Sequence, residues 1–130
     1  MKSLLPPGWP RPKGYANGIS ASGRTIFTAG VVGWDEQERF AADTLPAQFA
    51  QALRNIVTII AQDGAGPEHL VRLTCYVTSI DSYLAALAEI GAAWKAIIGP
   101  HYPAMALVEV TRLVEPQALV EIEATAVVPE

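Results

Sequence analysis

The pentapeptide VEIEA, residues 120 to 124, sets Glu121 and Glu123 two positions apart among aliphatic neighbours. On a strand that spacing aims both carboxylates at one face and Val120, Ile122 and Ala124 at the other. A carboxylate in a partly dry crevice has its pKa raised by burial and can then orient a water molecule or move a proton. The same alternation also describes an ordinary strand with one solvated face, and composition does not choose between the two. Glu109, on the preceding apolar run, has no sequence neighbour to serve as a catalytic partner and reads as part of a solvated strand face.

Other reactive side chains fall into duller patterns. His69, in GAGPEHL, and His101, in GPHYP, are far apart and share no ligand-spaced motif, so no metal site is expected. GAGPEHL has neither the lysine nor the spacing of a phosphate loop and reads as a helix-to-strand turn. Cys75 is the single cysteine. It cannot form an intrachain disulfide, which points to a reducing compartment, and its place on an apolar strand face makes it a small core residue rather than a nucleophile. Trp34 reads as loop or interface packing, or as the wall of a small pocket.

These side chains need a scaffold, and 130 residues allow one domain, 1–130, with a sizeable core. Pro6, Pro7, Pro10 and Pro12 predict an irregular arm over residues 1–13. Residues 15–22 and 24–32 flank Ser22-Gly23 and predict a hairpin. Leu45, Phe49, Leu53, Ile56 and Ile60 recur at helical spacing, with Asp43 or Thr44 as N-cap, Pro46 in the first turn and Gly64 as terminator. LVRLTCYVT alternates Val71, Leu73, Cys75 and Val77 against polar residues, as a strand does. A second helix is predicted from Asp81 or Ser82 to Ile98, its alanines and Gly91 permitting close packing, and strands over about 104–113 and 118–128. The order describes an α+β domain with two helices on one face of a mixed sheet. In a chain 51% hydrophobic and 17% charged, the uncovered sheet face is expected to meet copies of itself in a closed oligomer.

Charge narrows the partners. The net charge is −4 and the nine basic residues are scattered, which disfavours a nucleic-acid partner. No stretch is long and apolar enough for a signal peptide or a membrane span, so the expectation is a cytoplasmic protein with no membrane partner.

Taken in order, GYANG, TIFTAGVVGWD, QALRNIVTIIAQDGAGPEHLVRLTCYVTSIDSY and YPAMALVEVTRLVEPQALVEIEATAV resemble the YjgF/RidA family over about residues 14–128. Order and spacing carry the likeness, since no short motif is decisive alone. The resemblance implies a chorismate-mutase-like fold and a homotrimer whose sheets line a central barrel, with equivalent clefts between subunits. It implies hydrolysis of reactive imines or enamines to a keto product and ammonia without a cofactor. Carried over by position, the family's cleft tyrosine falls on Tyr15, its strand-end glycine on Gly30, and the glutamate that positions the attacking water on Glu121. Glu123 then reads as structural or solvated.

The departure from the family pattern is at YPAM. Active imine deaminases resembling this chain carry, after PA, an arginine that clamps the substrate carboxylate; here that position is Met105. The polar or thiol side chain often found two positions on is Leu107, and an asparagine of some members falls on Gly91. A guanidinium makes two parallel charge-assisted bonds to a carboxylate, whereas a thioether offers only contact. Loss of such a bond removes about 1.5–3 kcal/mol. Arg112 faces away from Met105 on a regular strand; Arg11 or Lys13, on the arm near Tyr15, is the better source of a replacement cation.

The resulting expectation is a homotrimer whose intersubunit cleft, lined by Tyr15, Gly30, Met105, Leu107 and Glu121, binds a small metabolite and hydrolyses a C=N or enamine-type bond. No metal or cofactor takes part, and activity on standard 2-imino acids is weak. The alternative is a trimer that binds a metabolite without turnover. RNA cleavage, also attached to this family, is the reading the charge favours least.

Overall fold

A computed structural model describes all residues, 1–130. In chain order the elements are β1 (Lys2–Ser3), β2 (Ile19–Ser20), β3 (Arg24–Phe27), β4 (Val31–Val32), α1 (Leu45–Ala61), a 3-10 turn (Pro67–His69), β5 (Leu70–Val77), α2 (Ile80–Ala85), α3 (Leu87–Ile97), β6 (Ala104–Glu109) and β7 (Val120–Val128). The main sheet runs β3-β7-β5-β6, with β4 also paired to β7. Only β5 and β6 are parallel, and α2 and α3 lie in the connection between them. This is the predicted α+β class with a mixed sheet.

α1 follows its sequence along the core face, while Thr44, at the N-cap position, makes no side-chain cap hydrogen bond. Pro46 sits in the first turn, Gly64 leaves it at φ +78°, and Phe49, Ala52, Leu53, Ile56 and Ile60 are buried at three- and four-residue intervals. They meet Leu73, Cys75 and Val77 of β5 and Val120, Ile122 and Ala124 of β7 in a single core. Gln48 is the one buried polar side chain. Its Nε2 donates to the carbonyls of Ala42 (3.1 Å) and Gln117 (2.9 Å), and its Oε1 accepts from the Leu119 N–H (2.8 Å), so α1 is tied to the entry of β7.

The predicted hairpin over 15–32 does not form. Ile19–Ser20 pairs instead with Lys2–Ser3, and Arg24–Phe27 pairs antiparallel with Val128–Thr125. β7 offers a nine-residue edge, and a four-pair ladder on it outweighs a short local pairing. The arm is therefore anchored rather than irregular throughout: Lys2 and Ser3 precede the prolines and keep their donors, and the Leu4 N–H bonds the Gly18 carbonyl at 2.9 Å. The predicted strand over 24–32 is also interrupted. Thr28 accepts from the Ala124 N–H through Oγ1 (3.0 Å) and donates its own N–H to the Ala124 carbonyl (2.9 Å), which bends the chain between β3 and β4.

Two further differences lie in the helical connection and in β5. The single helix predicted to Ile98 is broken at Ala86 (φ −111°, ψ 15°), and Ser79 caps the first piece by accepting from the Ser82 N–H. The break turns Ile90, Trp94 and Ile98 inward and leaves Leu84 and Leu87 about half exposed. In β5, a register shift between Leu70 and Arg72 buries Leu70 in place of Val71. The sheet face bearing Phe27, Arg72, Tyr76, Val108 and Glu123 is covered by no element of the chain, and Phe27 is 75% exposed there.

Candidate functional site

Glu121 stands on that open face, opposite Val32 of β4 and Tyr76 of β5. The bend at Thr28 brings Gly30 against it so closely that a β-carbon at Gly30 would lie 2.5 Å from Glu121 Oε2 and 2.6 Å from its carboxyl carbon. Gly30 and Glu121 thus form one unit, and glycine is what leaves the carboxylate room. Glu123 is engaged differently: its Oε1 accepts from the Tyr76 hydroxyl at 2.9 Å. That bond, with some burial and the charges of Glu123 and Glu121, pushes the Tyr76 phenol above its ordinary pKa. Glu109 Oε1 accepts from the Ile80 N–H at 3.0 Å, at the start of α2.

A second group of residues lies on the helix side of the sheet, at its β6 edge. Tyr15, Met105 and Leu107 line a cavity of about 550 Å3 together with Gly91 and Lys13. Tyr15 reaches it because Gly14 turns the chain at φ +80° and Ala16 then bridges to Ala104, its N–H on the Pro103 carbonyl at 3.0 Å. Alternation along β6 points Met105 and Leu107 the same way, toward Leu73 and Cys75. Arg11 is outside this cavity, on an adjoining groove with His101.

Of the residues singled out in the sequence, the fold brings Tyr15, Met105 and Leu107 together, and Gly30 and Glu121 together, but the two sets occupy opposite faces of the sheet. Gly91 does not mediate close packing: a β-carbon there meets no atom within 4 Å. The aromatic wall went unanticipated. Tyr83, Trp94 and Tyr102 line the cavity, Trp94 and Tyr102 stacking at 6.1 Å and 8° with the indole N–H on the His101 carbonyl. Its sequence signal is the spacing of Tyr83, Leu87, Ile90, Gly91 and Trp94, a helical stripe that reads equally well as core.

The remaining candidates have structural partners. His69 Nδ1 accepts from the Gly66 N–H at 2.9 Å, and His101 Nε2 lies 2.6 Å from the Leu70 carbonyl. Trp34 packs on Phe40 at 5.7 Å. Cys75 is buried, with Sγ 3.9 Å from Met105 Sδ, and burial pushes its thiol up to about 12. Native protein at pH 8 is accordingly expected to leave Cys75 unmodified by Ellman's reagent, while the urea-unfolded chain titrates one thiol. Rapid modification of the folded protein would show Cys75 to be open to solvent.

The mixed sheet with its helices on one face defines an α+β protein of the chorismate-mutase-like type. The chain matches the family model Endoribonuclease L-PSP over residues 10–128. It is 30% identical to a RutC family protein of Synechocystis, over 99% of this chain and 98% of that one. It is 29% identical to a 2-iminobutanoate/2-iminopropanoate deaminase of Salmonella typhimurium, over 87% and 86% of the two chains. Among solved structures, a Rid-family protein of unknown function from Yersinia pestis superposes with TM-score 0.83 at 32% identity, covering 98% of each chain. The YjgF protein of E. coli gives 0.68 at 27%, also covering 98% of each. The chain belongs to the endoribonuclease L-PSP family, which is the YjgF/RidA family of the sequence resemblance. No helix is long and apolar enough to cross a membrane.

Proposed function

We propose that the chain forms a homotrimer that hydrolyses a small imine- or enamine-type metabolite in clefts between subunits. One observation carries this reading: Gly30 and Glu121 lie on the open sheet face, while Tyr15, Met105 and Leu107 line a cavity behind the sheet, so a complete cleft needs the two half-sites to come from different copies. The uncovered face with exposed Phe27 and Val108 gives the copies an apolar surface to bury. The Salmonella relative, a deaminase by name, supports the reaction class.

In the cleft, Glu121 holds the attacking water and accepts its proton as the C–O bond forms at the imine carbon. Tyr15 bonds the polar end of the substrate. Glu121 hands that proton on to the imine nitrogen. The tetrahedral carbinolamine then expels ammonia as its hydroxyl proton passes to the departing nitrogen, leaving the carbonyl product, a balance that needs no cofactor. Met105 cannot clamp a carboxylate, so a small 2-imino acid is poorly held.

The test generates 2-iminopropanoate with an amino-acid oxidase and traps it with semicarbazide. Wild type is expected to suppress the trapped product weakly, and Met105→Arg to suppress it on the order of tenfold better, the worth of one charged hydrogen bond. Suppression by wild type as strong as that of the Salmonella deaminase would remove the role assigned to Met105.

A further inference from the structure

The cavity behind β6 is larger and differently lined than the substrate of a small-imine hydrolase requires. A pocket of about 150 Å3 is enough to hold benzene in an apolar interior, and one protomer's part of this cleft, open to solvent on one side, measures about 550 Å3. Tyr15, Phe49, Tyr83, Trp94 and Tyr102 contribute five aromatic side chains to its wall, and Met105 adds a polarisable thioether suited to contact with a ring. Gly91 keeps the α3 side open, since nothing lies within 4 Å of where its side chain would begin. The lining carries one charged group, Lys13, and that side chain belongs to neither ion pair of the protein, Arg24–Asp63 and Glu68–His69.

The geometry points to a ring-binding subsite: the cavity takes a two-ring aromatic ligand bearing one anionic group, with the rings against the aromatic wall, the anion on Lys13, and Gly91 as the residue that admits them. For the reaction this rests on the hydrolase reading and narrows its substrate to bulky aromatic imines; for binding it stands alone. An ammonium is a point charge on a flexible stem, so it tolerates varied placement of the anion where an arginine fork would not. A long aliphatic ligand would use neither the ring stacking nor the flat faces available here.

The test titrates the full-length protein with 2-naphthoate and with neutral 2-naphthol, reading heat and the quenching of tryptophan fluorescence. Wild type is expected to bind 2-naphthoate with Kd of about 0.1 mM or tighter and acetate not measurably. Gly91→Leu should weaken 2-naphthoate on the order of tenfold or more by occupying the space. Gly91→Met makes the same comparison should the leucine variant fold poorly. Lys13→Met should weaken 2-naphthoate on the order of tenfold and leave 2-naphthol unchanged. Absence of 2-naphthoate binding, or equal affinity in wild type and the Gly91 variants, overturns the subsite, as it would if a neighbouring subunit fills the cavity. Equal affinity in Lys13→Met overturns the anion contact. Imine hydrolysis by a protein blind to 2-naphthoate sinks this inference alone, whereas 2-naphthoate binding by a protein that hydrolyses nothing sinks the hydrolase and leaves the subsite standing.

Discussion

Gly33→Ala is expected to destabilise the protein by about 3 kcal/mol, the upper part of the range for overpacking. A β-carbon at Gly33 would lie 2.3 Å from the Gln48 carbonyl oxygen, 2.8 Å from its Cα and 2.9 Å from its carbonyl carbon. All three are backbone atoms of α1, so no side chain can rotate out of the way. The helix and the segment after β4 would have to separate, and two hydrogen bonds resist that: Asn55 Nδ2 holds the carbonyls of Val32 (3.0 Å) and Trp34 (2.8 Å) against the helix. Separation also strains the anchorage of Gln48 to Ala42, Gln117 and Leu119. Domains are stable by only about 5–15 kcal/mol, so the midpoint of a urea melt should fall markedly. Gly91→Ala, the same chemical change made in open space within α3, is the control and should stabilise by up to about 1 kcal/mol. A Gly33→Ala midpoint matching wild type would mean that the contact between α1 and β4 is looser than described.

How much of this was legible from residues alone depended on whether the cause was local. Phe49, Leu53, Ile56 and Ile60 are buried because period 3.6 puts them on one face of α1, and Ile122 and Ala124 because period 2 puts them opposite Glu121; both periods are written in the sequence. The pairing of β3 with β7 rather than with β2 is a competition between partners a hundred residues apart, which Ser22-Gly23 cannot report. The break at Ala86 falls among good helix formers, Leu84 to Leu87, so it is imposed by packing, with Tyr83 against Phe49 on one side and Trp94 turned inward on the other. One continuous helix from Asp81 or Ser82 to Ile98 does not reveal the cavity wall. Gly33 shows the same limit: its neighbour is a helix fifteen residues on, and nothing in GVVGWD reveals it. Gly30 and Tyr15 were singled out through the family resemblance, and Glu121 was separable from Glu123 only in that way.

Glu121→Gln is expected to lower imine turnover on the order of a hundredfold or more, the usual worth of a positioned general base. The amide keeps the size and polarity of the carboxylate but cannot accept the proton of the attacking water, so the variant should fold and bind ligand like wild type. Because Gly30 abuts the carboxylate, Gly30→Ala should act in the same direction by displacing Oε2, which is the end of a rotatable side chain and can yield without unfolding the sheet. Either loss alone would still be compatible with a site built within one chain. The stronger test mixes subunits. Glu121→Gln and Tyr15→Phe chains, each impaired alone, are unfolded together at equal amounts and refolded. If each cleft takes Glu121 from one protomer and Tyr15 from the next, about a quarter of the clefts regain both wild-type residues and activity returns in that proportion. If both residues serve the same cleft from one chain, mixing restores nothing. Unchanged turnover in Glu121→Gln would instead show that this carboxylate does no chemistry, whereas ligand binding without turnover in wild type would leave a metabolite-binding protein.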